Sequence, residues 1–200
     1  MASNKTVTPK WKERTDSTNK KHLNILSKRN FDVMFIGDSM FERWFTTGSN
    51  LWNNLRKYNI MNCGVGGDKV ENLLWRFSQD QNILAKPVNK IFLMIGTNNI
   101  DTDKPELVYN GIENLVKILI EKMPNAKLYL YGILPKNDNN KKVEEKINIC
   151  NQLLAELCKS WNLEYRYFGD KINNPKFFDD HVHLNVDGYQ IWYDELLKDL

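Results

Sequence analysis

The sequence predicts an α/β protein: an open, twisted parallel sheet of five strands with helices over both faces. Three observations lead there. Five short, mostly apolar runs recur along the 200 residues, at 31–36, 58–62, 90–95, 127–133 and 163–168. Longer segments with apolar residues at three- and four-residue steps fall between or after these runs, as the crossovers of parallel strands require. The first three runs also end in loops of small and polar residues, and ligands in open α/β sheets sit beyond the carboxyl ends of the strands.

Taken in order, residues 31–36 (FDVMFI) are almost continuously apolar, as suits a strand buried on both faces, and stop at Gly37-Asp38-Ser39. Residues 58–62 lead into Cys63-Gly64-Val65-Gly66-Gly67-Asp68, and 90–95 into Gly96-Thr97-Asn98-Asn99. Val70, Leu73, Leu74 and Phe77 share one face of a helix; Leu107, Val108, Ile112, Leu115, Val116 and Leu119 form a longer stripe. A helix over 141–161 carries Val143, Ile147, Cys150, Leu154 and Leu157, and 189–200 reads as the final one. Trp44, Phe45, Trp52, Trp75 and Trp161 stand at helical spacing beside leucines, where aromatics serve as core more often than as ligand platforms. The polar stretch 1–15 reads as a tail or docking arm ahead of a single domain over 16–200, with a short helix near 22–28.

Composition narrows the function classes. Lys+Arg 28 against Asp+Glu 25 is too balanced for a nucleic-acid or membrane surface. No apolar run approaches the ~20 residues that span a bilayer, and residues 1–16 contain no signal-peptide core. Cys63, Cys150 and Cys158 are odd in number and lack CxxC spacing, which favours a reduced, cytoplasmic setting without disulfides.

The polar loops carry the chemistry. A hydroxyl nucleophile needs a base to take its proton, a group to orient that base, and donors for the oxyanion that develops on the substrate. Ser39 directly follows a strand and can present its hydroxyl at the sheet edge, although Asp38 and Ser39 also suit the cap of a helix starting near Met40. The glycine loop can turn the N–H of Gly66 or Gly67 inward, or simply make a tight turn. It is not a dinucleotide fingerprint, since GxGxxG from Gly64 needs glycine where Lys69 stands. Asn98 can donate its side-chain amide or hold its own turn. Asp180 and His183 are three residues apart, a separation that on a helical turn lets a carboxylate reach the imidazole Nδ1 while Nε2 faces a nucleophile. The competing use is a metal held by His181, His183 and Asp179 or Asp180, but the only other histidine is His22, far away in sequence.

In this order, Gly37-Asp38-Ser39-Met40, Gly64-Val65-Gly66-Gly67-Asp68, Gly96-Thr97-Asn98-Asn99 and Asp180-His181-Val182-His183 resemble the four signature blocks of the SGNH hydrolases, the GDSL esterase/lipase family. Two departures from the general pattern, Met40 for leucine and Asn99 for aspartate, together with Leu74-Trp75-Arg76 and Gly132-Ile133-Leu134-Pro135, are similar to one subgroup, the catalytic subunits of intracellular platelet-activating factor acetylhydrolase type Ib. The resemblance implies a three-layer α/β/α sandwich, flavodoxin-like, and hydrolysis of short acyl esters without metal or cofactor. It implies Ser39, Asp180 and His183 as catalytic residues, an oxyanion hole from Ser39, Gly66 and Asn98, and Met40, Thr97 and Val182 as walls of a small acyl pocket. Asp38 becomes a structural acceptor. A homodimer and a regulatory β-propeller partner are implied by resemblance alone. Two rivals stay open: a carbohydrate O-acetylesterase, and a binding or scaffold subunit that keeps the fold.

Overall fold

The computed structural model describes residues 5–200. In chain order it forms α1 (Glu13–Lys28), β1 (Val33–Gly37), α2 (Ser39–Glu42), α3 (Ser49–Leu55), β2 (Ile60–Gly64), α4 (Val70–Phe77), β3 (Lys90–Met94), α5 (Pro105–Lys122), β4 (Lys127–Tyr131), α6 (Lys141–Trp161), β5 (Glu164–Arg166) and α7 (Val186–Leu196). The five strands are all parallel in the order β2-β1-β3-β4-β5. That is the flavodoxin-like order, and the direction of winding reverses between β1 and β3, the switch point where such sheets hold ligands. The sandwich expected from the sequence is therefore present, with strand ends displaced by at most two residues.

Side chains of successive strand residues point to opposite faces, and the core divides accordingly. Met34 and Ile36 join the cluster built with α1, α4, α5 and α6, whereas Val33 and Phe35 join the aromatic-rich cluster of Phe41, Trp44, Phe92, Tyr131 and Trp192 under α2, α3 and α7. Trp44 is fully buried, Trp52 and Trp161 pack against the two clusters, and Trp75 is half-buried. Phe45 departs from the core reading: it is 49% exposed and edge-on to Trp52. Close packing at the end of β1 demands glycine. A methyl group on Gly37 would sit 1.9 Å from the carbonyl oxygen of Met94, and one on Gly64 would sit 2.4 Å from the Glu42 nitrogen. Only bare backbone lets α2 fold down onto the sheet there.

The N-terminal expectation needs correction. The helix placed near 22–28 begins nine residues earlier, at Glu13, and the stretch read as a tail or docking arm is packed against the domain from Thr6 onward. The Thr6 hydroxyl donates to the Leu107 carbonyl, and the Lys10 N–H donates to the Glu71 carbonyl at 2.8 Å. Residues 1–4 of that stretch lie outside the described residues. The cause is chemical: α1 buries Thr15, Asn19, His22 and Leu26, a face that is mostly polar and carries no apolar period. Its partner is Arg76 of α4, fully buried. The guanidinium donates to the Cys63 carbonyl at 2.9 Å through Nη1 and to Asn19 Oδ1 at 3.2 Å through Nε, and it meets His22 Nδ1 at 3.1 Å through Nη2. The Asp68 carboxylate lies 3.8 Å from Nη1 and accepts the Thr15 hydroxyl. Among the described residues, no helix is long and apolar enough to cross a membrane.

Burial first, and then the charges of Arg76 and Lys21, push the His22 imidazole from 6.5 down to about 3. The ring is thus neutral in the fold and accepts from Arg76. Below pH 6.5 the unfolded chain binds a proton at His22 that the folded chain refuses down to about pH 3, so this contribution to stability falls as the pH drops through that window. His22→Gln keeps an acceptor for Arg76 and removes the titration. Between pH 7 and pH 4 the variant should lose about 3 kcal/mol less stability than the parent, read from urea unfolding at each pH.

Candidate active site

The strand register gathers the polar loops. Gly37 at the end of β1 pairs with Gly64 of β2 on one side and Met94 of β3 on the other, so the chains leaving all three strands emerge at one edge. Asp38 is the N-cap of α2, its Oδ1 accepting the Met40 N–H at 3.0 Å. Burial drives the Asp38 carboxyl up to about 7, against the opposing pull of the Met40 amide; the Asp68 charge raises it further and the Thr97 hydroxyl lowers it. Both uses of the Asp38-Ser39 pair therefore coexist. Asp38 caps, and Ser39, the first residue of α2, turns its hydroxyl toward His183.

Ser39 Oγ lies 3.0 Å from His183 Nε2, and His183 Nδ1 lies 2.8 Å from Asp180 Oδ2. The carboxylate decides the tautomer. Although partial burial works against ionisation of Asp180, the hydrogen bond from the His183 ring and those from the backbone N–H groups of His183 and Val182 outweigh it and hold the carboxyl well below its usual range. An ionised Asp180 only accepts, so Nδ1 carries the proton and Nε2 is free to accept from the Ser39 hydroxyl. The Asp180–His183 approach does not use a helical turn. It arises in a loop, where Asp180 Oδ1 accepts the N–H groups of Val182 and His183, each at 2.7 Å. An antiparallel bridge from Phe178 to Leu184 and a bond from the Asp179 N–H to the His183 carbonyl at 2.9 Å close the base of that loop. His181 turns to other partners, its Nδ1 meeting the Asn137 carbonyl at 3.0 Å, so the two histidines do not converge as metal ligands would.

The remaining residues singled out from sequence sit around this chain of bonds. Gly66 is half-buried two residues beyond β2, with a methyl position 2.4 Å from Glu42 Oε2. Asn98 donates one amide hydrogen to the Asp68 carbonyl at 2.9 Å, which ties the asparagine loop to the glycine loop and, among the described residues, leaves its second hydrogen uncommitted. Met40 is 1% exposed within the aromatic cluster, Thr97 is buried, and Val182 keeps accessible surface. Contacts that sequence spacing does not signal complete the frame. Tyr189 of α7 donates its hydroxyl to the Met40 carbonyl at 2.7 Å across 149 positions, and Asp179 lies 3.6 Å from Arg43.

A five-stranded parallel sandwich with a hydroxyl, an imidazole and a carboxylate in series at its switch point places the protein among the α/β/α acylhydrolases. The chain belongs to the GDSL-like Lipase/Acylhydrolase family, whose model matches residues 35–191. It is 33% identical over 167 residues to the platelet-activating factor acetylhydrolase IB subunit alpha2 of Homo sapiens, covering 79% of this chain and 71% of that one. A GDSL-like lipase from Bacteroides thetaiotaomicron shares the fold with a TM-score of 0.75 at 18% identity, over 90% of this chain and 95% of that one. An acetyl xylan esterase, AlAXEase, shares it at 0.69 and 21% identity, over 84% and 98%.

The Asn99 departure has a local cause. Its Oδ1 accepts the Val70 N–H at 3.0 Å, while its Nδ2 donates to Glu71 Oε2 and Asp103 Oδ2, each at 3.0 Å. An aspartate at this fully buried position would present a third carboxylate where a donor is needed. Asn99→Asp should destabilise the fold by about 2–3 kcal/mol at neutral pH, measured as a lower urea midpoint.

Proposed function

We propose that the protein hydrolyses short acyl esters, acetyl esters foremost, with Ser39 as nucleophile. The observation that carries this reading is the series Ser39 Oγ to His183 Nε2 at 3.0 Å and His183 Nδ1 to Asp180 Oδ2 at 2.8 Å. His183 Nε2 takes the hydroxyl proton as Ser39 Oγ bonds to the carbonyl carbon, and Asp180 stabilises the imidazolium that forms. The backbone N–H groups of Ser39 and Gly66 and the free amide hydrogen of Asn98 receive the oxyanion. The intermediate collapses by breaking the bond to the alcohol, whose oxygen takes the proton from Nε2. Water then repeats the sequence on the acyl-serine, with His183 again as base, and releases the acid.

The acetyl preference rests on the residues next to the site blocks, with Met40 beside Ser39 and Thr97 beside Asn98 in the chain, both buried, and Val182 beside His183. An extra methylene in such a pocket is worth about 1–3 kcal/mol. The relative's name, a platelet-activating factor acetylhydrolase subunit, supports an acetylated phospholipid as the natural ester and supports assembly as a subunit. We take the assembly to be a homodimer, for which sedimentation should return about twice the 23.6 kDa chain mass.

Hydrolysis of p-nitrophenyl esters from acetate to octanoate tests the mechanism and the pocket together. Acetate should react best, with kcat/KM falling by at least about tenfold by butanoate. Ser39→Ala and His183→Ala should each lower kcat by about 10³-fold or more with the fold retained. Turnover that survives Ser39→Ala, or a maximum at octanoate, contradicts the reading.

A further inference from the structure

The N-terminal segment reaches the proposed oxyanion site itself. Arg14, at the start of α1, places Nη2 2.9 Å and 3.1 Å from the two carboxylate oxygens of Glu42, the last residue of α2. This pair lies directly against Gly66. A methyl group on that glycine would meet Glu42 Oε2 at 2.4 Å and Arg14 Nη2 at 2.8 Å. Two residues before Arg14, Lys12 Nζ donates to the Gly67 carbonyl at 2.8 Å, so the same segment grips the next peptide of the loop. The Glu42 carboxylate thus stands beside a backbone N–H that must receive negative charge. Alone, it would oppose that charge.

We propose that Arg14 is a positioning residue for ester hydrolysis: it neutralises and holds Glu42 at Gly66, so that the oxyanion develops beside a neutral ion pair instead of a free carboxylate. The inference rests on the reading of Gly66 as an oxyanion donor. It accounts for an exposed ion pair whose contribution to stability is small, since Arg14 and Glu42 keep 57% and 28% of their side-chain surface. It also gives the packed N-terminal segment a role in turnover. Coulomb repulsion acts on the transition state, where the oxyanion is present, and hardly on the neutral ester. The effect therefore falls on kcat and not on KM.

The sign of the effect supplies the test, a double-mutant cycle on p-nitrophenyl acetate with thermal unfolding measured alongside. Arg14→Ala should lower kcat about tenfold and leave KM within about twofold. Arg14→Lys should keep kcat within about threefold of the parent. Glu42→Gln should hold or raise kcat, and Arg14→Ala combined with Glu42→Gln should recover most of what Arg14→Ala loses. A purely structural ion pair gives the opposite result, a double variant no better than Arg14→Ala. That outcome, or an Arg14→Ala enzyme with parental kcat, overturns the proposal while Ser39-dependent turnover in the parent upholds the ester-hydrolase reading. Absence of Ser39-dependent turnover in the parent overturns both.

Discussion

A guanidinium closed off from the solvent surface organises this molecule. Arg76 is fully buried, and a buried cation is tolerated only where carboxylates and acceptors surround it. The Cys63 carbonyl, Asn19, a neutral His22 and the Asp68 carboxylate provide that shell. All four lie outside α4, so the shell joins β2, the glycine loop and α1 to the helix that carries Arg76. Burial of one charge on one helix thereby dictates where the N-terminal helix docks and which protonation state its histidine holds.

The consequences run outward to the candidate active site. Asp68 ends the glycine loop, its carboxylate held by Thr15 and Arg76 and its carbonyl accepting from Asn98. Asn99 next door anchors the first amide of α4 through its side chain. The donors proposed for the oxyanion thus hang from a frame already immobilised by the Arg76 network, as preorganised electrostatic stabilisation requires. On the other side of Ser39, the loop carrying Asp180 and His183 is closed by its own backbone bonds and shares the Arg43 contact with the chain just after α2. Ser39 stands between two separately braced loops, and its hydroxyl needs to be correct relative to both.

Much of this was legible in the sequence, and the divide follows the range of the interactions. Strand and helix positions depend on local periodicity, which is why the five runs and the long helices lie within a few residues of their expected ends. The serine, glycine and asparagine blocks were legible because each sits just past a strand, and the parallel register brings such loops to one edge; the histidine block was legible as a polar cluster just ahead of the last helix. The N-terminal helix escapes a sequence reading because its buried face consists mostly of polar residues, Thr15, Asn19 and His22 beside Leu26, which no hydrophobic pattern reveals. Spacing alone points Phe45 into the core, but its place at the end of a short turn leaves half of its surface in solvent.

By itself, the sequence determined the class of fold, the loops that would meet, and the residue types able to run acyl transfer, because periodicity and chain order suffice for those. Tertiary structure alone decided the 3.0 Å approach of Ser39 Oγ to His183 Nε2, the docking of a neutral His22 on Arg76, and the settling of Arg14 and Glu42 as a pair on Gly66. Those outcomes depend on distances between residues up to 144 positions apart and on burial that sets the charge state of His22. A one-dimensional pattern carries neither quantity.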